Sequence, residues 1–228
     1  MTQTGEPRAL VIAMDGPAGA GKSTLARIVA NRLGYLYVDT GAMYRALALK
    51  ALRTGVDLED DSALAAMAAT SEVRLERAPD GGNRVLLDGV DVSREIREPA
   101  VTAIVSRVSA VPALRQYMVR TQRGMATRGG VVMDGRDIGS YVLPNADLKF
   151  YVTASLQERA LRRQEQLARA GHQISLAELE ADIARRDEAD MNKGEHSLVR
   201  LPDSIIIDTT NKTVDEVVDE ILSHCRRV

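Results

Sequence analysis

Gly16-Pro17-Ala18-Gly19-Ala20-Gly21-Lys22-Ser23 is the stretch that decides the fold, because it satisfies G-x-x-x-x-G-K-[ST] at every required position. The apolar run 9–14 that precedes it is typical of a buried strand. Glycines let the backbone fold around phosphate oxygens with its N–H groups pointing inward, and a helix N-terminus adds partial positive charge. The stretch therefore predicts a phosphate-binding loop between a strand and a helix.

The segments that follow this loop alternate between helical and strand patterns. From Lys22 the apolar residues recur at helical spacing, and Gly34 is a natural helix stop. Residues 35–38 predict a second strand, and residues 42–54 predict a helix closed by Gly55. A strand, a glycine-rich turn, a helix and a strand are the opening of an α/β fold with a parallel sheet.

The middle of the chain predicts a small inserted subdomain. A turn-rich segment, 79–83, separates two strand patterns, so we expect a hairpin. Its strands are expected at 73–77 and 84–92. Pro99 and Pro112 each suit the first turn of a helix, and Gly129 with Gly130 ends this helical region.

Strands and capped helices alternate again towards the C-terminus. The strands are expected at 131–133, 148–152 and 205–207, the last of them buried. Capping boxes predict three helix starts: Ser155 with Glu158, Ser175 with Glu178, and Thr213 with Glu216. The final helix carries apolar residues along one side, including Cys225, which we therefore interpret as a packing residue rather than a nucleophile.

The composition excludes several classes of protein. Hydrophobic residues make up 45% of the chain and charged residues 27%, which is typical of a globular protein with a real core. Basic residues (30) do not outnumber acidic ones (32) and aromatics are only 3%, so we expect no nucleic-acid partner. One cysteine and three scattered histidines exclude a zinc site built from several such ligands. His172 and His196 are expected to be loop residues without a special role.

The apolar runs and the N-terminal segment predict where the protein is located. No apolar run approaches the length of about 20 residues that a bilayer requires, so no membrane association is expected. The polar segment 1–8 lacks the apolar centre of a signal peptide, which predicts a cytoplasmic protein.

A phosphate loop alone does not name a reaction, because GTPases, motors, ATPases and small-molecule kinases share it. The guanine-reading pattern N-K-x-D is absent, since the segment 211–214 fails at its fourth position. No D-x-x-G switch motif occurs either. These absences disfavour a GTPase switch, and the chain is short for a motor.

Further motifs, in a fixed order, resemble those of the bacterial cytidylate kinases. The segment 39–45 is similar to their D-[ST]-G-[AS]-x-Y-R, 134–139 to D-G-R-D-[IM]-G, and 186–190 to R-D-x-x-D. The hairpin with 91–97 resembles their enlarged monophosphate-binding region, and 147–153 resembles the strand before their lid. One position departs from the family pattern, because Lys193 stands where arginine is usual and cannot form its two-pronged contacts.

The resemblance implies a single kinase domain with a P-loop NTPase-type parallel β-sheet flanked by helices, a small inserted NMP-binding subdomain and a helical lid. We expect the core at about 8–55, 129–154 and 200–228, the NMP-binding insertion at about 56–128 and the lid at about 155–195. The resemblance also implies that the protein is a monomer.

The implied reaction is phosphorylation of CMP or dCMP by ATP, with Mg²⁺. ATP would be held by Gly16, Pro17, Ala18, Gly19, Ala20, Gly21, Lys22, Ser23 and Thr24. By resemblance the pyrimidine nucleotide contacts Thr40, Ser106, Arg115, Asp137, Arg186 and Asp190, and its phosphate lies near Tyr44, Arg45, Arg97 and Arg136. A carboxylate at Asp137 and a hydroxyl at Ser106 suit the cytosine amino group.

The chemistry needs no protein nucleophile, because an acceptor phosphate oxygen attacks the γ-phosphoryl group directly. The expected catalytic residues are Lys22, Arg159 and Arg163, with Ser23 on the metal. Arg159, Arg162 and Arg163 share one helical face, either as part of a closing lid or as an ordinary solvated face. Asp39 or Asp134 could assist Mg²⁺ through water, or could simply cap a helix or turn.

Two other functions stay open from the residues alone. One is another small P-loop kinase, for UMP and CMP or for a different small acceptor. The other is a regulatory protein that binds ATP without a phosphoryl acceptor.

Overall fold

A computed structural model of the chain describes residues 9–78, 82–169, 171–192 and 194–228. Segment 1–8, the tip of the expected hairpin at 79–81, and Lys193 lie outside these described residues. The chain divides into two compact units. One contains the chain up to Tyr35 and again from Gly129, and the other contains Leu36–Arg128.

The elements follow one another in this order: β1 (Val11–Asp15), α1 (Lys22–Leu33), β2 (Leu36–Asp39), α2 (Thr40–Thr54), α3 (Asp61–Ala69), β3 (Val73–Arg77), β4 (Asn83–Leu87), β5 (Val90–Asp91), α4 (Pro99–Ala110), α5 (Pro112–Ala126), β6 (Val131–Asp134), β7 (Leu148–Thr153), α6 (Leu156–Arg169), α7 (Leu176–Met191), β8 (Ile205–Asp208) and α8 (Val214–Cys225). Short 3₁₀ turns occur at Glu95–Arg97 and Gly194–His196, and a π-helical turn at Ile138–Val142.

The first unit is built on parallel strands, which confirms the α/β class. Its strands lie side by side in the order β6, β1, β7, β8. The register pairs Met14 of β1 with Asp134 of β6, and Asp15 with Tyr151 of β7. Parallel strands end at one edge of a sheet, so the loop after β1 and the acidic end of β6 meet there.

The strand–loop–helix unit forms where the sequence predicts it. Helix α1 runs from Lys22 to Leu33. Gly34 caps its C-terminus with a left-handed φ of 71°. Gly16, where the loop leaves β1, has φ 148°, and a Cβ there would lie 1.9 Å from the carbonyl oxygen of Val152. Only glycine fits this point of close approach between the loop and β7.

The C-terminal helices start where the capping boxes predict, with one difference. The boxes at Ser175 and Thr213 are complete. At Ser155 the side-chain hydroxyl accepts from the backbone N–H of Glu158, which is one half of the box. The Glu158 side chain accepts from Arg162 rather than from the Ser155 backbone. Strand β8 was expected to be buried but Ile206 is 39% exposed, since β8 is the last strand in the order. The apolar side of α8 is buried as predicted, and burial raises the pKa of the Cys225 thiol to about 11.

The second unit combines the antiparallel strands β3, β4 and β5 with helices α2 to α5. The single strand expected at 84–92 is wrong, because Asp88 and Gly89 both adopt positive φ and divide it into β4 and β5. Helix α3 was not predicted. Its short apolar face contains Leu64, Met67 and Ala68, and the Asp60 side chain caps it. Proline starts both α4 and α5, as expected.

Within the described ranges, the helices are too short or too polar for any of them to cross a bilayer.

Candidate active site

The phosphate loop places a buried lysine at the edge of the sheet. The Lys22 side chain is 5% exposed, and its Nζ donates to the carbonyl oxygen of Pro17 at 2.7 Å. Burial, and then the nearby positive charge of Arg136, lower the pKa of Lys22 to about 7, although Asp134 and Asp15 act in the opposite direction. A phosphate entering the loop would supply the negative charge that favours the protonated ammonium.

Ser23 and Asp134 place two oxygen-bearing side chains in contact beside Lys22. The Ser23 hydroxyl donates to Oδ2 of Asp134 at 2.7 Å, which brings the loop and the end of β6 together. Among the described residues no group of three or more His, Cys, Asp or Glu side chains could hold a metal alone. The pair fits Mg²⁺, because this ion takes few protein oxygens and completes its shell with water and substrate phosphates.

Asp15 is a buried carboxylate that the sequence analysis did not single out. It ends β1, and its two oxygens accept from the backbone N–H groups of Ile138 at 2.8 Å and Gly139 at 2.7 Å. Burial raises its pKa to about 6, although the two hydrogen bonds lower it. Asp15 thereby joins the start of the phosphate loop to the D-G-R-D-I-G segment. An acid directly after a buried strand was the signal that could have identified it.

A cavity of about 420 Å³ opens against the phosphate loop. The loop contributes backbone and hydroxyl groups, and four arginines with a glutamine contribute the rest. The lining residues are Ala18, Gly19, Gly21, Lys22, Ser23, Thr24, Arg136, Arg159, Arg162, Arg163 and Gln166. Such a concentration of cationic and N–H groups suits a polyphosphate.

The three arginines of α6 have different environments. Arg159 is buried, pairs with Asp187 of α7 at 2.7 Å and donates to the carbonyl oxygen of Ala18 at 3.1 Å. Arg162 bonds to Glu158 at 3.0 Å and to Thr209, whereas Arg163 is exposed and bonds to Gln166 at 3.1 Å. Arg159 and Arg162 therefore each pair with an acid. No sequence signal identified Asp187 as the partner of Arg159.

Asp137 lies in a second polar group of the same unit. Its side chain is 7% exposed, and Nδ1 of His196 lies 3.3 Å from its Oδ2. The His196 ring also meets the Tyr141 ring edge to face, with centroids 4.3 Å apart. His196 was expected to be an unremarkable loop residue, but it is partly buried and contacts both Asp137 and Tyr141. His172 is an exposed loop residue, as expected.

Arg136, Arg186 and Asp190 are only partly brought together. Nε of Arg136 donates to Oδ2 of Asp190 at 2.7 Å, so this acid contacts a cavity-lining arginine. Arg186 lies one helical turn before Asp190 and is exposed. The resemblance assigns Arg186 and Asp190 to the same nucleotide, and no sequence signal predicted that Asp190 pairs with Arg136.

The second unit contains the other residues expected at the acceptor nucleotide. The Arg115 guanidinium lies over the Tyr44 ring, 5.5 Å from its centroid, and Nη1 of Arg45 donates to the Thr102 hydroxyl at 2.8 Å. Thr40 is buried at the start of α2. Ser106 and Arg97 are exposed.

Asp39 has the role of a helix cap in this unit. Its Oδ1 accepts from the backbone N–H of Ala42 at 2.9 Å, at the start of α2. Of the two acids considered for Mg²⁺, Asp134 is therefore the one that contacts the Ser23 hydroxyl.

Comparison with known proteins places the chain among relatives of one kind. A family model described as cytidylate kinase matches residues 12–227. A cytidylate kinase of Symbiobacterium thermophilum is 74% identical over 220 residues, which cover 96% of this chain and 97% of the relative. A cytidylate kinase of Desulfitobacterium hafniense is 51% identical over 214 residues, covering 94% and 91%. A solved structure of an uncharacterized protein from Eubacterium ventriosum covers 94% of this chain and 97% of its own, with a TM-score of 0.53 and 12% identity, and this likeness concerns the fold alone.

Proposed function

The chain belongs to the cytidylate kinase family, and on that premise we propose how its residues transfer the γ-phosphoryl group of ATP to CMP or dCMP. The protein is a nucleoside monophosphate kinase, and ATP is its phosphoryl donor. The observation that carries the proposal is the cavity of about 420 Å³ in which Lys22, Ser23 and arginines of α6 line one space against the loop.

The donor end of the reaction rests on the phosphate loop. Residues 16–24 surround the ATP phosphates with backbone N–H groups, and Lys22 contacts the β- and γ-phosphates. The acceptor phosphate oxygen forms a bond to the γ-phosphorus while the bond to the bridging β–γ oxygen breaks, and ADP leaves with that electron pair. Lys22, Arg159 and Arg163 are the proposed cations that stabilise the charge on the transferring group.

Ser23 would hold Mg²⁺ together with the donor phosphates, and Asp134 would orient the Ser23 hydroxyl or an ion-bound water. The ion would neutralise charge on the β- and γ-phosphate oxygens. The 2.7 Å contact between Ser23 and Asp134 supports this assignment.

The residues of the acceptor end are assigned from the resemblance to the family. Asp137 accepts a hydrogen bond from the cytosine amino group, with Ser106 as a second acceptor, and Arg186 with Asp190 binds the sugar. Thr40 and Arg115 complete the nucleotide contacts. The phosphate is assigned to a set of four residues: Tyr44, Arg45, Arg97 and Arg136.

Segment 155–195 is proposed as the lid, which would exclude water as a competing acceptor when it closes over the phosphates. The core is proposed at about 8–55, 129–154 and 200–228, with the NMP-binding insertion at about 56–128. The protein is proposed to act as a cytoplasmic monomer without nucleic-acid or membrane partners.

An ADP-release assay across CMP, dCMP, UMP, AMP and other small acceptors tests the function. We expect ADP formation to depend on CMP or dCMP, with little ATP hydrolysis in their absence. Turnover with another acceptor but not with CMP would indicate a different small P-loop kinase. ATP binding without turnover on any acceptor would indicate a regulatory protein.

Lys22→Ala tests the donor end. We expect kcat to fall about 100-fold or more, because a cation aimed at the transferring phosphoryl group is lost. CMP binding, measured by calorimetry, should stay close to that of the unchanged protein. Near-normal turnover would remove Lys22 from the mechanism.

Asp137→Ala tests the acceptor end. We expect KM for CMP to rise about tenfold or more, because a hydrogen bond to a charged acceptor is lost. KM for ATP should change little. Equal effects on the two substrates would remove Asp137 from the cytosine site.

A further inference from the structure

His196 stands in direct contact with the residue assigned to the cytosine base. It ends the 3₁₀ turn Gly194–His196, beyond the C-terminus of α7, and its side chain is 24% exposed. Its Nδ1 lies 3.3 Å from Oδ2 of Asp137, while its ring packs against Tyr141 at an interplanar angle of 86°. The contact therefore joins the end of the lid segment to the D-G-R-D-I-G segment.

The Asp137 backbone is also held in place. Its carbonyl oxygen accepts from the backbone N–H groups of Tyr141 at 2.9 Å and Val142 at 3.0 Å, within the π-helical turn. The turn thus fixes the backbone position of Asp137. The direction of its carboxylate depends on side-chain contacts, and His196 supplies one of them at one carboxylate oxygen.

We infer that His196 is a positioning residue that orients the Asp137 carboxylate to accept from the cytosine amino group, and that it thereby sets the preference for cytosine over uracil. This inference rests on the proposed function. It adds a role for a residue outside the motifs that identify the family here.

The chemistry of the carboxylate supports this role. Nδ1 of His196 lies 3.3 Å from Oδ2 of Asp137 as a close polar contact outside hydrogen-bond geometry. An ionised carboxylate only accepts hydrogen bonds, so Nδ1 can act on it only as a proton donor. A carboxylate of Asp137 that faces the base accepts from the 4-amino group of cytosine and repels the 4-oxo group of uracil. A carboxylate rotated away from the base discriminates less between the two.

The packing of the ring allows the polar and structural roles of His196 to be separated. His196→Phe keeps an aromatic ring against Tyr141 and removes the nitrogen that faces Asp137. His196→Asn removes the ring and keeps an amide N–H close to the position of Nδ1. His172→Ala is the matched control, because His172 is exposed on the turn between α6 and α7.

Steady-state kinetics with CMP, UMP and ATP test the inference. For His196→Phe we expect KM for CMP to rise and the ratio of kcat/KM for CMP to that for UMP to fall, each about tenfold. KM for ATP and kcat should change less than twofold. His196→Asn should recover most of the CMP preference, and His172→Ala should retain all of it.

Asp137→Asn, alone and combined with His196→Phe, identifies the group through which His196 acts. If both residues act through one carboxylate, their effects on kcat/KM for CMP are not additive, and the double variant resembles Asp137→Asn. Additive effects would overturn the inference. So would a His196→Phe protein with unchanged CMP preference, or one that loses kcat and ATP affinity to the same extent.

The same set of variants separates this inference from the proposed function. If Asp137→Asn leaves CMP kinetics unchanged, the cytosine site is wrongly assigned and the inference fails with it. If Asp137→Asn weakens CMP and His196→Phe does not, the site stands and only the inference fails. A His196→Phe protein that does not fold leaves His196→Asn and Asp137→Asn to decide, since loss of CMP preference in the asparagine variant of His196 would contradict the inference.

Discussion

Asp15→Asn probes the buried carboxylate that joins the phosphate loop to the segment after β6. The change removes the ionisable group and keeps its size. One amide oxygen can still accept an N–H, but the amide nitrogen cannot replace the second acceptor that Ile138 and Gly139 require. The lost acceptor lowers stability at every pH, so the pH dependence of the difference between wild type and variant reports the ionisation of Asp15.

The magnitude follows from the pKa. Burial raises the pKa of Asp15 from 3.8 to about 6, so the folded chain binds this proton more tightly than the unfolded chain does. The difference of about two pKa units corresponds to about 3 kcal/mol of unfolding free energy. This stability is present below the unfolded pKa and is lost as the pH rises through the folded pKa.

Urea unfolding of the wild-type protein and of Asp15→Asn at about pH 7 and about pH 4.5 measures this effect. Relative to the variant, the wild type should gain about 2 kcal/mol on acidification to about pH 4.5, because only the wild type takes up the proton and this pH lies between its folded and unfolded pKa values. Asp219→Asn, which removes an exposed carboxylate from α8, is the control. A difference between wild type and Asp15→Asn that is the same at both pH values would refute the reasoning.

Two further variants test the loop and the attachment of α6. Gly16→Ala should abolish ATP binding in calorimetry and lower stability by more than the roughly 1–3 kcal/mol of backbone strain, because its Cβ would meet the Val152 carbonyl oxygen at 1.9 Å; wild-type ATP affinity would contradict the geometry of the loop. Arg159→Ala should cost about 3–5 kcal/mol in chemical unfolding, because it leaves the Asp187 carboxylate without its buried partner. A loss of kcat without this loss of stability would instead favour a purely catalytic role for Arg159.

The sequence predicted best where local chemistry determines the backbone. The order of β1, loop and α1 follows from the glycines and from Lys22, because few other structures place a glycine-rich turn between a buried strand and an amphipathic helix. The capped starts of α7 and α8 follow from capping boxes that act within one turn. Such signals need no knowledge of the rest of the chain.

Two elements of the second unit were missed for different reasons. Helix α3 is rich in alanine and buries few large side chains, so its periodicity is hard to detect. The separation of β4 from β5 depends on the two-residue turn Asp88-Gly89, in which both residues have positive φ. An Asp-Gly pair between apolar residues is a local hairpin signal, and it was overlooked.

The contacts that refine the candidate site join residues far apart in sequence. Arg159 of α6 pairs with Asp187 of α7, and His196 contacts Asp137, which lies 59 positions earlier in the chain. Asp15 bonds to N–H groups more than 120 positions distant. The motifs identified many of the residue types involved, but no spacing rule could pair them, because the packing of elements distant in sequence brings them together.

Transfer of labelled phosphate tests the central claim most directly. The protein is incubated with γ-³²P-labelled ATP and CMP, and the products are separated and counted. Direct transfer at the phosphate loop predicts that the label appears in CDP, in equal amount to the ADP formed. Label released chiefly as inorganic phosphate, with CMP unchanged, would contradict it.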